Sequence, residues 1–157
     1  MKLKMIVAGS LATLALSAAA VQADSQRLPV ERLDEVLQQA SAFGVQHYQS
    51  IKVKGDDSVE VGGWFDEQWR ARVGLSLAAG DSRVDELTRR KGGARGMASG
   101  DMRLAMDAAV AEGLAEFEEV QVDRDGRIEI EGRDADGLEL EIHARRDEGG
   151  MLQAARD

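Results

Sequence analysis

The sequence predicts an α+β fold made of two tandem αβββ repeats, each a helix packed on a three-stranded antiparallel sheet. Three observations predict it. Shifting the chain by 69 residues lays it on itself without a gap. Each half opens with apolar residues at helical spacing, and each then alternates apolar and polar residues in three short runs. The self-match is one of spacing rather than identity. Gly44 meets Gly113, Tyr48 meets Phe117, and Ile51 and Val53 meet Val120 and Val122. Val59 and Val61 meet Ile128 and Ile130, Gly63 meets Gly132, and Trp69, Ala71 and Val73 meet Leu138, Leu140 and Ile142. Recurring apolar positions and glycines are what a shared backbone would impose.

The first 23 residues read as a secretory signal peptide. Lys2 and Lys4 make a positive start, Met5 to Leu16 an apolar run, and Val21 and Ala23 supply the small side chains before a cut after Ala23. The apolar run is shorter than the roughly 20 residues of a membrane span, so no stable membrane insertion is expected after cleavage. Export to the periplasm follows as the expected location, with secretion as the alternative. The 157-residue chain carries 29 acidic and 20 basic residues, a net charge of −9, and cleavage removes two lysines and no acid. That sign argues against nucleic acid, whose phosphates supply most of the affinity of its binders. The absence of cysteine excludes disulfides, thiolate zinc sites, cysteine nucleophiles and lipid attachment through cysteine.

Residues 24–91 form the first repeat. Val30, Leu33, Val36, Leu37 and Ala40 make its helical stripe, with Pro29 at the entrance and Gly44 at the exit. Strands follow over 48–54, 58–62 and 69–75, with Asp56-Asp57 at the first turn. Residues 92–100 are a Gly-rich linker that begins with Gly92-Gly93-Ala94-Arg95-Gly96, after the charged stretch ending at Arg89-Arg90-Lys91. A phosphate loop would need a preceding strand and a following Lys-Ser/Thr pair, which this segment lacks.

Residues 101–157 form the second repeat. Met102, Ala105, Met106, Ala109 and Val110 make the stripe, Ser99 or Asp101 is placed to cap it, and Gly113 ends it. The methionines follow the core stripe and read as packing. Strands follow over 117–123, 127–131 and 138–144, with Asp125-Gly126 as the stronger hairpin signal.

The second half carries a resemblance. Arg127-Ile128-Glu129-Ile130-Glu131-Gly132, then Arg133-Asp134-Ala135-Asp136-Gly137 and Leu138-Glu139-Leu140-Glu141-Ile142, closed by Asp147-Glu148-Gly149-Gly150-Met151-Leu152, resembles the PepSY domain family. The first half is similar but divergent, with Trp64-Phe65-Asp66-Glu67-Gln68 in place of the short polar turn. The resemblance implies a small exported bacterial protein, with a partner such as an exported peptidase that it inhibits or helps to fold. It supplies no catalytic residue.

The residues themselves point away from catalysis, and no cofactor or metal is expected. His47 and His143 do not occupy matching positions, and neither has a second histidine at ligand spacing. Asp123-Arg124-Asp125-Gly126 and Asp134-Ala135-Asp136-Gly137 lack the full calcium-loop ligand series and read as turns. Two sets of residues are candidates for partner binding. The polar phase of the first half presents Lys52, Lys54, Arg70 and Arg72, and that of the second Glu129, Glu131, Glu139 and Glu141. One basic sheet face and one acidic twin are expected: either two solvated faces with local ion pairs, or faces that complement each other within one molecule or across a dimer, or an acidic face that receives a basic ligand. Trp64 and Phe65 match a polar turn in the twin repeat, so they are either exposed anchors or a cover over the sheet, whereas Trp69 keeps the core phase. The expected function is a non-catalytic exported binding or regulatory module. The alternatives are a self-assembling structural envelope protein, and a small-ligand or divalent-cation binder using an acidic sheet face.

Overall fold

The computed structural model describes residues 26–148 and 150–157, so the signal peptide read at 1–23 lies outside the described residues. The chain runs through a short strand β1 (Leu28–Pro29), a 3-10 turn (Val30–Arg32), helix α1 (Leu33–Phe43) and strands β2 (His47–Gly55), β3 (Ser58–Trp64), β4 (Trp69–Ser76) and β5 (Asp81–Arg89). Helix α2 (Ser99–Ala111) then leads into β6 (Leu114–Val122), β7 (Ile128–Asp134), β8 (Glu139–Arg146) and β9 (Leu152–Arg156).

These strands build one antiparallel sheet in the order β5-β4-β3-β2-β6-β7-β8-β9, with β1 added on β6. The expectation of two αβββ repeats with separate three-stranded sheets is therefore overturned. Two differences account for it. Each half contributes a fourth strand, β5 and β9. The leading strands β2 and β6 also pair directly, Ser50 to Gln121, Ile51 to Val120 and Lys52 to Glu119. Pairing them satisfies two rows of backbone N–H and C=O groups that separate sheets would leave open at an edge. Ile51 and Val120 are essentially inaccessible at this joint, so the seam is part of the core.

One face of the sheet is covered. Leu33, Val36, Leu37 and Ala40 of α1 and Met102, Ala105, Met106 and Ala109 of α2 pack on the apolar strand phase in a single cluster. Val110, read as part of the second stripe, is exposed instead. The Tyr48 hydroxyl ties β2 to α1 by donating to the Leu37 carbonyl at 2.9 Å, with Ser41 Oγ 2.6 Å away; burial pushes its pKa up. Both helices stop at glycines with positive φ, Gly44 at 124° just after α1 and Gly113 at 104° after α2. At the start of α2 the capping position belongs to Ala98, with no side-chain cap. Ser99 is already helical, and Asp101 pairs with Arg146 instead.

The loops after β6, β7 and β8 share one device. Asp123 Oδ1 accepts the N–H groups of Asp125 and Arg127 at 2.8 and 2.9 Å, and Asp134 Oδ1 those of Asp136 and Leu138 at 2.9 Å. Asp147 Oδ1 likewise accepts the Met151 N–H at 2.9 Å. An aspartate that organises its own loop through the backbone is the chemistry of an Asx turn.

Candidate binding face

The sheet face opposite the helices is polar, and its strand register sets charged side chains in rows. Lys52 on β2 stands between Glu60 of β3 and Glu119 of β6. Beyond Glu119 the row continues through Glu131 of β7 to Glu141 of β8. A parallel row runs from Ser50 through Gln121 and Glu129 to His143. On the other side of β2 the face carries Arg70 and Arg72 of β4, opposite Thr88 and Glu86 of β5.

The basic and acidic sets are thus adjoining halves of one face. They are not the two separate faces expected from the sequence, and they meet edge to edge at the β2–β6 seam. There Lys52 Nζ lies 3.0 Å from Glu119 Oε2. The hydrogen bond and charge of Glu119 hold the Lys52 ammonium above its ordinary range. Burial acts to raise the Glu119 carboxyl, but hydrogen bonds from Gln121 and Lys52 outweigh it, and the net shift is downward.

The remaining members differ in how well they are partnered. Arg72 pairs with Glu86, and Arg70 Nε donates to Gln49 Oε1 at 3.0 Å. Glu139 lies 3.3 Å from Arg133 and 4.0 Å from Arg27. Glu131 has no ion pair with any described residue. Its carboxyl is held above the ordinary range by partial burial and then by the charges of Glu119, Glu129, Glu118 and Glu141. From β6 to β8 each strand of this row carries one carboxylate; Glu119 pairs with Lys52 and Glu141 lies beside His143, which leaves Glu131 between them.

Cross-strand neighbours also make a group that sequence spacing hides. One ligand atom each from Glu129, Glu141 and His143 lies within 4.8 Å of the others, an arrangement that could hold a divalent cation. His143 Nε2 already contacts Glu141 at 3.2 Å and Asp157 at 3.0 Å. Only the β7–β8 register, Glu129 opposite His143, reveals this group.

Of the two places left open for Trp64 and Phe65, exposed anchors or a cover over the sheet, the structure gives the covered one, and only Trp69 departs from the place expected of it. Trp64 is 4% exposed, whereas Trp69, read as core, is 38% exposed, and its counterpart Leu138 is 65% exposed. Strand β3 continues through Gly62 and Gly63, so Trp64 falls on the open polar phase of the sheet rather than in a loop. Phe65 packs against the core and meets Phe43 edge to face, with ring centroids 6.1 Å apart. Neither residue lies at the β2–β6 seam. Trp64 lies beneath the 90–95 segment and is no exposed anchor.

No protein-family model, no curated protein and no solved structure matches the chain.

Proposed function

We propose that this chain is a non-catalytic, exported binding module that engages a protein partner through the acidic half of its open sheet face. One observation carries the reading: Glu119, Glu131 and Glu141 stand directly opposite one another on three adjacent strands, and the central one, Glu131, has no ion pair with any described residue. Like charges directly across a ladder are destabilising, so a basic extended segment laid on these strands relieves repulsion as it binds. The PepSY resemblance supplies the class of partner, an exported peptidase whose activity the module regulates. A second reading, self-association, is favoured by the presence of both signs on one face. A second copy can set Lys54, Arg70 and Arg72 over the acidic strands of the first.

Zero-length carbodiimide crosslinking in periplasmic extract tests the proposal, because it joins carboxylates to partner lysines without a spacer. Wild type is compared with a Glu129→Gln, Glu131→Gln, Glu141→Gln variant whose fold is confirmed by circular dichroism. The expected result is a partner joined through these three residues and lost in the variant. Crosslinks that map to α1 and α2, or that survive the triple change, overturn it. Crosslinks only between copies of the chain establish self-association instead.

A further inference from the structure

The basic half of the sheet ends in a cleft that the rows of paired charges do not explain. Residues 90–95 leave β5, pass the β3–β4 loop and reach β2 close to Trp64. The segment is pinned along its length. The Arg90 N–H donates to the Gln68 carbonyl at 2.7 Å, and the Ala94 N–H to Glu67 Oε2 at 3.0 Å. Met97 and Tyr48 then exchange both backbone hydrogen bonds, at 2.7 and 2.8 Å. Gly96 makes that pairing possible, since at φ 95° a Cβ would lie 2.2 Å from the Tyr48 carbonyl oxygen.

Between this segment and the sheet lies a cleft of about 330 Å³ lined by Arg70, Arg90, Lys91, Arg95, Arg124 and Trp64, together with Gln49 and Gly93. Five cationic side chains converge here in a chain whose net charge is −9. Arg90, Lys91, Arg95 and Arg124 form no ion pair with any described residue. Arg70 is oriented by Gln49, and Arg124 projects from the loop that Asp123 fixes. Trp64 is 96% buried, and its indole Nε1–H, closed off from bulk water, has no acceptor among the described residues. A buried donor left without a partner is costly, and such a group points to something the protein atoms do not supply.

We propose that this cleft binds a compact oxyanion carrying two or more negative charges, a phosphate group in particular. Arginine forks match phosphate oxygens in paired hydrogen bonds, and a cleft walled by one sign of charge concentrates the opposite sign. Trp64 forms part of the cleft wall, so its indole reports what enters the cleft. The site is separate from the acidic strands, so the proposal stands or falls independently of the function proposed above.

The chain contains two tryptophans, so its ¹H–¹⁵N spectrum holds two indole signals, and Trp69 serves as the internal control. Inorganic pyrophosphate is titrated at constant ionic strength, with chloride as the comparison anion. The expected result is a saturable shift of the Trp64 indole with the Trp69 indole unmoved. Arg90→Gln and Arg95→Gln, both at exposed positions, each weaken binding about tenfold, as expected for loss of one charge-assisted pair. Arg72→Gln, on the same face but outside the cleft, leaves the affinity unchanged. Competition by phosphatidylglycerol vesicles identifies a lipid headgroup as a source of the phosphate, and failure to compete assigns the site to free anions. A Trp64 signal that ignores pyrophosphate, drifts linearly with chloride as well, or shifts equally in the Arg90 and Arg95 variants overturns the proposal.

Discussion

At the scale of single residues, Glu119 and Glu131 show how one sheet register gives two neighbouring carboxylates opposite roles. They face each other on β6 and β7, but only Glu119 touches a lysine. Its folded-state pKa lies below the unfolded value, so it stabilises the fold above that unfolded value, and the benefit is lost as pH falls through the folded one. Glu131 behaves in reverse. Its folded pKa is raised, so the folded state holds its proton more tightly, and stability declines as pH rises from the unfolded value of about 4.3 through the folded one. Glu131→Gln is therefore expected to stabilise the chain at pH 7. Solvent screening limits the gain to a few tenths of a kcal/mol. Urea unfolding at pH 7 and about pH 3.5 checks this, because the advantage should vanish where the wild-type carboxyl is protonated in both states. An equal advantage at both pH values would assign the effect to packing instead of charge.

At the scale of elements, helix α2 begins without a capping side chain. Ala98 holds the extended backbone of a cap, φ −65° and ψ 158°, and its carbonyl already accepts from Asp101 and Met102. Ala98→Ser adds an oxygen within reach of the orphan N–H groups of the first turn. About 1 kcal/mol of stabilisation is expected, read as a Tm higher by roughly 3–5 °C in calorimetry. An unchanged Tm would mean that those donors are already satisfied by water. The same element shows why sequence places the cap wrongly: Ser99 and Asp101 are both good cap residues, and only the backbone shows that Ser99 is already the first helical residue and Ala98 the cap. The buried stripes of α1 and α2 and the bodies of the inner strands were legible because apolar spacing records which side of an element faces the core. Strand β5 was not. Arg72 and Val73 of β4 lie opposite Glu86 and Val84, which leaves Asp85 as an extra bulged residue. Val84 and Leu87, opposite core-facing Val73 and Ala71, are consequently three apart, and the period of two disappears. A bulge at Gln49 sets Tyr48 and Ile51 three apart in the same way. Trp64 was misplaced because strand β3 continues past two glycines, which carry no side chain to mark the phase. The cleft above it draws on β3, β4, the 90–95 segment and the β6–β7 loop, so no local pattern could announce it.

At the scale of the molecule, the consequence of a single sheet is mechanical unity. The two halves read in sequence as tandem repeats that pack together, each with its own helix and strands. In the structure β2 and β6 share hydrogen bonds across the middle of the sheet, β1, which precedes α1, pairs with β6, and one apolar cluster runs beneath both halves. Unfolding either half would expose Ile51 or Val120 and strip the other half of a paired edge, so neither is expected to unfold alone. The placement of the tryptophans makes this measurable. Trp64 and Trp69 both lie in the first half, so fluorescence reports that half, while far-ultraviolet circular dichroism reports every strand. The two probes are expected to give one coincident urea transition. Val120→Ala, a buried truncation on the second-half side of the seam, should then lower the fluorescence midpoint and the dichroism midpoint together, by roughly 2 kcal/mol. A fluorescence transition left in place while the dichroism shifts would show two units joined at an edge, and the continuous binding face across the seam would then lack the rigid support that its charge rows require.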